Sequence, residues 1–167
     1  DGASYLEVLR HAELLGGRVL VSALLERLVV SYLVGNDDHH LKNISFIHDR
    51  PTVLAPAYDV LNTTLHTDQG PVMALRFFPV DHEPHNQPDY YRRMGNGYYS
   101  GGDFVELGQA AGLRAEVVQR QITRLVSRLE QKAPPLIERS YLDAARRQRY
   151  QQLIGKRARF LRVFDGY

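Results

Sequence analysis

The chain has 167 residues, no cysteine, 44% hydrophobic and 24% charged residues. That is a one-domain length with a globular composition, and it excludes a disulfide framework and all thiolate chemistry. The net charge of +2 averages two unlike parts: residues 1–112 hold 8 Lys and Arg against 14 Asp and Glu, residues 113–167 hold 13 against 5, and all seven histidines fall in the first 85 positions.

Residues 4–15 are expected to form a short helix, because Tyr5, Leu6, Val8, Leu9, Ala12 and Leu15 follow helical spacing. Ser4 is its expected N-cap and Gly16-Gly17 its end. Residues 18–34 are apolar round most of the circumference, which predicts a central buried helix stopped by Gly35. The stretch Val19–Gly35 carries Ser22, Glu26, Arg27 and Ser31, so it is too short and too polar to span a bilayer. With no signal-peptide pattern at the start, a cytoplasmic location is expected. The first residue is Asp1 rather than methionine, which leads to the expectation that the natural product is longer.

A polar run, GNDDHHLKN, follows. Ile44–Ile47 alternates as a strand does, residues 48–51 read as a turn, and Thr52–Ala55 as the returning strand. Val60-Leu61 is expected to begin a helical turn. From Asn62 to Gly102 the chain reads mostly as a long loop, with Met73–Phe78 as a further strand and residues 84–102 as a candidate contact surface. A short helix over 103–112 is expected to be capped by Asp103. An amphipathic helix follows over 113–132, broken by Pro134-Pro135, and a last helical stretch runs over 136–164. The predicted fold class is mainly α, with one small β-hairpin carrying the polar residues.

The chemistry concentrates in Asn36–Asn43 and Asp59. A hairpin brings its exit strand back to its entry, so Asp59 returns towards Asn43, with Asp38 as another carboxylate. Hard oxygen groups of this kind suit Mg²⁺, which keeps several waters and is shared with substrate phosphates. Asp38 and Asn43 are spaced D-x-x-x-x-N, and Asp59 follows a strand pair, as in a protein-kinase catalytic loop followed by its metal-binding Asp.

The fuller string VGNDDHHLKNISF, then LAPAYDVLNT, resembles the C-terminal kinase domain of the HipA family of toxin serine/threonine kinases. That family pattern runs approximately N-x-D-x-H-x-K-N, then a hairpin, then P-x-Y-D. Here Asn36, Asp38, His40, Lys42, Asn43, Pro56, Tyr58 and Asp59 supply it. Ser4-Tyr5, Met73–Leu75 and Phe104–Leu113 extend the likeness to both flanks. The resemblance implies a helical kinase C-lobe over residues 1–167, with Asp38 as the catalytic base and Asn43 and Asp59 as Mg²⁺ ligands. It places His40, Leu41, Lys42, Asn43 and Tyr58 beside ATP. It further implies a protein substrate, and an antitoxin or a complementary N-lobe chain as partner. The phosphate loop, the strand lysine and the adenine hinge of such a kinase belong upstream of the buried helix. Only 17 residues precede that helix, so the isolated chain is expected to bind ATP weakly and to be inactive.

Two other readings stand beside this one. The histidines, as Asp37-Asp38-His39-His40 with His48 and His66, would suit a metal-dependent phosphohydrolase. A non-catalytic module would dock on an antitoxin, or on nucleic acid through the basic residues 113–167. His39 is given no role and is expected to be exposed beside His40.

Overall fold

The computed structural model describes residues 2–66, 73–82 and 86–164. It is mostly helical, as expected, with one two-stranded antiparallel sheet.

The first helical element, α1, runs Tyr5–Val34 and consists of two helices that meet at a kink at Gly17, where the glycine pair was expected to end the first. Gly17 takes φ 66° and ψ −165°, a non-helical conformation open to glycine, and turns the chain between the two segments. Ser4 caps the helix and Glu7 completes a capping box by accepting from the Ser4 backbone. At the far end Gly35 takes φ 81° and donates to Ser31 and Tyr32 carbonyls.

The hairpin has two-residue strands, β1 (Phe46–Ile47) and β2 (Val53–Leu54), with Phe46 opposite Leu54. Val60-Leu61 does not start a helix. The chain there is held by tertiary bonds instead, with Thr63 and Thr64 both donating from their backbones to the Gly35 carbonyl. Residues 73–78 are not a strand either. Tyr5 and Leu6 donate their backbone N–H groups to Arg76 and Phe77 carbonyls, so this segment satisfies two orphan donors of the α1 N-terminus. The expected loop over 84–102 contains a short helix, α2 (Asp89–Met94), while residues 84 and 85 lie outside the described residues.

Helix α3 runs Gly101–Ala110, capped by Ser100, with Asp103 as the reciprocal partner of a capping box rather than the cap. Helix α4 runs Ala115–Glu138 and passes straight through Pro134 and Pro135, which were expected to break it. Both prolines are exposed, so the carbonyls that lose their donors meet water. The apolar repeat Ile122, Val126, Ala133, Ile137 continues past them. Ala133 and Ile137 are buried against Ile154, and this packing outweighs the local penalty. The last helix, α5, accordingly begins later than expected, at Ala144, and ends at Leu161.

The core lies between α1, α3 and α4, around Leu24, Leu28, Phe104, Leu107, Val118 and Ile122. Gly108 is required at the crossing: a Cβ there would lie 2.8 Å from Val118 and 3.0 Å from Leu25. An aromatic cluster closes the α1 side. The Phe77 ring stacks on Tyr99 at 4.2 Å, and Tyr32 and Phe104 pack edge-on around them. Among the described residues no helix is long and apolar enough to cross a membrane.

Candidate functional site

The polar run leaves the end of α1 as an irregular loop and closes with one 3₁₀ turn, Leu41–Asn43. Asn36 organises it. Its side-chain oxygen accepts from the Asp38 backbone N–H at 3.3 Å, and its side-chain nitrogen donates to the Asp59 carbonyl at 3.3 Å. One buried amide therefore joins the two carboxylate-bearing residues. Asn43 adds a second tie, donating from Nδ2 to the Asp38 carbonyl at 3.0 Å. Tyr58 adds a third, with its hydroxyl donating to the Lys42 carbonyl at 2.8 Å and lying 2.6 Å from Ser45 Oγ. The structure thus brings Asp38, Lys42, Asn43, Tyr58 and Asp59 into one bonded cluster.

The chemistry of this cluster follows from exposure. The Asp38 side chain is 61% exposed, and Asp59 is exposed at φ 51°, a left-handed conformation that non-glycine residues adopt at a cost of about 1–3 kcal/mol. Asn43 is buried, and its amide nitrogen is committed to Asp38, so its oxygen is the atom that remains for a cation. Carboxylate and amide oxygens of these kinds are hard donors. Leu41 and Lys42 are exposed. His40 Nε2 lies 3.7 Å from Asp38 Oδ1, beyond a hydrogen bond but close enough for an ion pair when the ring is protonated.

Three residues behind the loop, His39, Asp37 and Arg157, hold it in ways that the sequence pattern does not indicate. His39 is not exposed beside His40: it is fully buried, and neither ring nitrogen has a protein partner. Burial, with Arg27 and His40 adding to it, pushes its pKa down from 6.5 to about 4. Its carbonyl accepts from the Tyr5 hydroxyl at 2.8 Å, which ties the start of α1 to the loop. Asp37 and Arg157 form the second anchor. Arg157 Nη2 donates to both Asp37 oxygens, at 3.0 and 3.3 Å, and Nη1 donates to the Tyr32 carbonyl. Thr64 donates to Asp37 at 2.7 Å. Arg157 is fully buried, with its guanidinium over the Tyr32 ring at 4.6 Å. Removing one partner of such a pair costs about 3–5 kcal/mol, because the other is left buried and uncompensated. The pair spans 120 residues, and no local pattern signals it.

The histidine alternative finds no support in the geometry. Among the described residues, no group of three or more His, Asp or Glu side chains is placed to hold a metal. The basic surplus of residues 113–167 is partly engaged inside the fold. Arg124, Arg146, Arg147, Arg157 and Arg162 are paired with Glu26, Asp143, Glu138, Asp37 and Glu130. An apolar cleft of about 250 Å³, lined by residues including Leu129, Ile137, Tyr150 and Ile154, contains none of the loop residues above.

Comparison with known proteins bears on the family and the fold. Two curated relatives, "Putative kinase Y4mE" of Sinorhizobium fredii and "Putative kinase" of Haemophilus influenzae, are each 27% identical, over 147 and 120 residues, or 86% and 70% of this chain. A third, "Putative kinase Y4dM" of Sinorhizobium fredii, is 48% identical over 59 residues. The chain spans about a third of the length of the first two, 32% and 35%. A solved chain from the Shewanella oneidensis MR-1 toxin–antitoxin complex of HipA, HipB and operator DNA shares the fold, with a TM-score of 0.70 at 21% identity. That alignment covers 96% of this chain and 36% of the other. The family model described as "HipA-like C-terminal domain" matches residues 1–133, which contain α1, the bonded loop cluster, the hairpin and α3, and the chain belongs to that family.

Proposed function

We propose that this domain carries the catalytic loop of a serine/threonine protein kinase of HipA type, which moves the γ-phosphoryl group of ATP to a protein hydroxyl. The observation that carries this reading is the double tie made by Asn36, which holds Asp38 and Asp59 in one cluster while Asn43 binds the Asp38 carbonyl. Phosphoryl transfer depends on positioning and charge neutralisation more than on covalent help, and rigid loop geometry serves the first need.

Asp38, exposed and fixed through its backbone, accepts the proton of the attacking hydroxyl in this reading. Asn43 and Asp59 hold Mg²⁺ through oxygen atoms, a donor set that fits a hard cation. When bound there with ATP, Mg²⁺ neutralises phosphate charge. Lys42 adds an ammonium group facing the phosphates, and His40, Leu41 and Tyr58 border the nucleotide. Activity, protein substrate and an antitoxin-type partner are proposed for the whole natural protein, since the domain covers about a third of its relatives' length. Nucleic-acid contact through residues 113–167 is proposed on the same footing.

The test is Asp38→Asn in the natural gene product, assayed with labelled ATP and a casein acceptor. Transfer is expected to disappear while the melting temperature stays unchanged, because the Asp38 carboxylate is exposed. Undiminished transfer refutes the assignment.

A further inference from the structure

We propose that Arg157 is a positioning residue for the loop that bears Asp38, acting from the C-terminal helix through Asp37. The proposal rests on the kinase reading for its consequence in catalysis, and on the geometry alone for the positioning itself. Arg157 comes from α5, which lies beyond the residues matched by the family model. Its guanidinium is wholly buried and bonds to two regions: the end of α1, through the Tyr32 carbonyl, and the loop with its neighbour Thr64.

The chain of contacts from Arg157 to Asp38 is short. Arg157 Nη2 holds both oxygens of Asp37. Asp37 is the residue before Asp38, and its own backbone N–H donates to Thr63 Oγ1 at 2.9 Å. Thr64 Oγ1 lies 2.7 Å from Asp37 and 3.3 Å from Arg157, so it touches both charges. Thr63 and Thr64 in turn hold the Gly35 carbonyl through their backbone N–H groups. The Asp37 side chain is thereby fixed from α5 and from residues 63–64. With Asp37 fixed, the next peptide presents the Asp38 N–H to Asn36. Nη2 holds Asp37 while Nη1 holds the Tyr32 carbonyl, so the planar fork fixes the loop carboxylate relative to the end of α1, which a single ammonium group does not.

A purely structural role for the pair predicts that its loss weakens the whole fold. A positioning role predicts a local loss at the loop. Amide hydrogen exchange on the natural gene product separates them. In Arg157→Met the amides of Asp37, Asp38, His40 and Asn43, each hydrogen-bonded in the structure, are expected to accelerate at least about tenfold more than the α1 core amides of Leu24 and Leu28, which report only the loss of global stability. The double variant Asp37→Asn with Arg157→Met removes both charges and keeps the fold accessible if the single variant is too unstable. It is expected to show the same loop-specific acceleration. Arg157→Lys, which keeps the charge and loses the fork, is expected to fall between Arg157→Met and wild type.

In transfer from labelled ATP to casein, the double variant is expected to lose at least about tenfold in kcat with KM for ATP within about threefold, since a loosened base affects the reacting geometry. Unchanged loop exchange, acceleration shared equally by α1, or an unchanged kcat in the presence of faster loop exchange overturns the proposal. A wild-type protein that transfers no phosphate refutes the kinase reading instead, and the exchange rates still decide whether Arg157 positions the loop.

Discussion

Acidification is expected to destabilise this domain through His39, and the effect can be isolated. The ring is fully buried with no protein partner at either nitrogen, and its pKa falls from 6.5 to about 4. The unfolded chain therefore takes up the proton first as pH falls. Stability that is complete above about pH 6.5 is lost progressively towards about pH 4. At about 1.4 kcal/mol per pH unit, the full loss is about 3 kcal/mol. Asp103 acts in the opposite sense. Burial raises its pKa from 3.8 to about 6, against the bonds from Ser100 and Tyr91, so the folded chain protonates it first and gains stability as pH falls through that range. The two windows overlap and the wild-type curve alone mixes them.

His39→Phe removes only the first contribution. Urea unfolding of both proteins at about pH 7 and about pH 4.5 reads the difference. The variant is expected to be less acid-sensitive than wild type by about 2–3 kcal/mol. At about pH 7 it is expected to be at least as stable, because unpartnered buried polar atoms cost about 1–3 kcal/mol. An identical response to acid in the two proteins refutes the reasoning, since it means His39 is protonated equally readily in both states.

Further outcomes follow from single contacts. Tyr5→Phe removes the buried bond to the His39 carbonyl and is expected to cost about 1–3 kcal/mol in urea unfolding, with the helical circular dichroism unchanged. Gly35→Ala places a side chain at φ 81° and a Cβ 2.9 Å from Asn62, and is expected to lower stability by about 1–3 kcal/mol. Phe77→Ala empties the stacked position against Tyr99 and is expected to cost about 3–5 kcal/mol by thermal melting. In the natural gene product, Asn43→Ala is expected to abolish phosphate transfer. A site built on histidine ligands is instead indifferent to Asn43 and fails with His40→Ala.

Local chemistry makes much of this protein legible in its sequence. The apolar repeat of α1, its Ser4 cap and its Gly35 stop are short-range devices, and each stands where the residues indicate. The motif residues Asn36, Asp38, Lys42, Asn43, Tyr58 and Asp59 also meet in one cluster, because a hairpin with adjacent ends has little choice of where to return. Other features depended on partners distant in the chain. The proline pair stays helical because Ala133 and Ile137 find Ile154. The strand expected at 73–78 is instead drawn to the free donors of the α1 N-terminus.

The sequence by itself determined the helical class, the ends of α1 and the identity of the polar loop residues. These follow from spacing, capping and side-chain type within a few turns. Only the tertiary structure decided that His39 is buried and that Asp37 meets Arg157 120 residues away. Burial and charge pairing are set by whatever element packs on top, and a residue's neighbours in sequence carry no record of it.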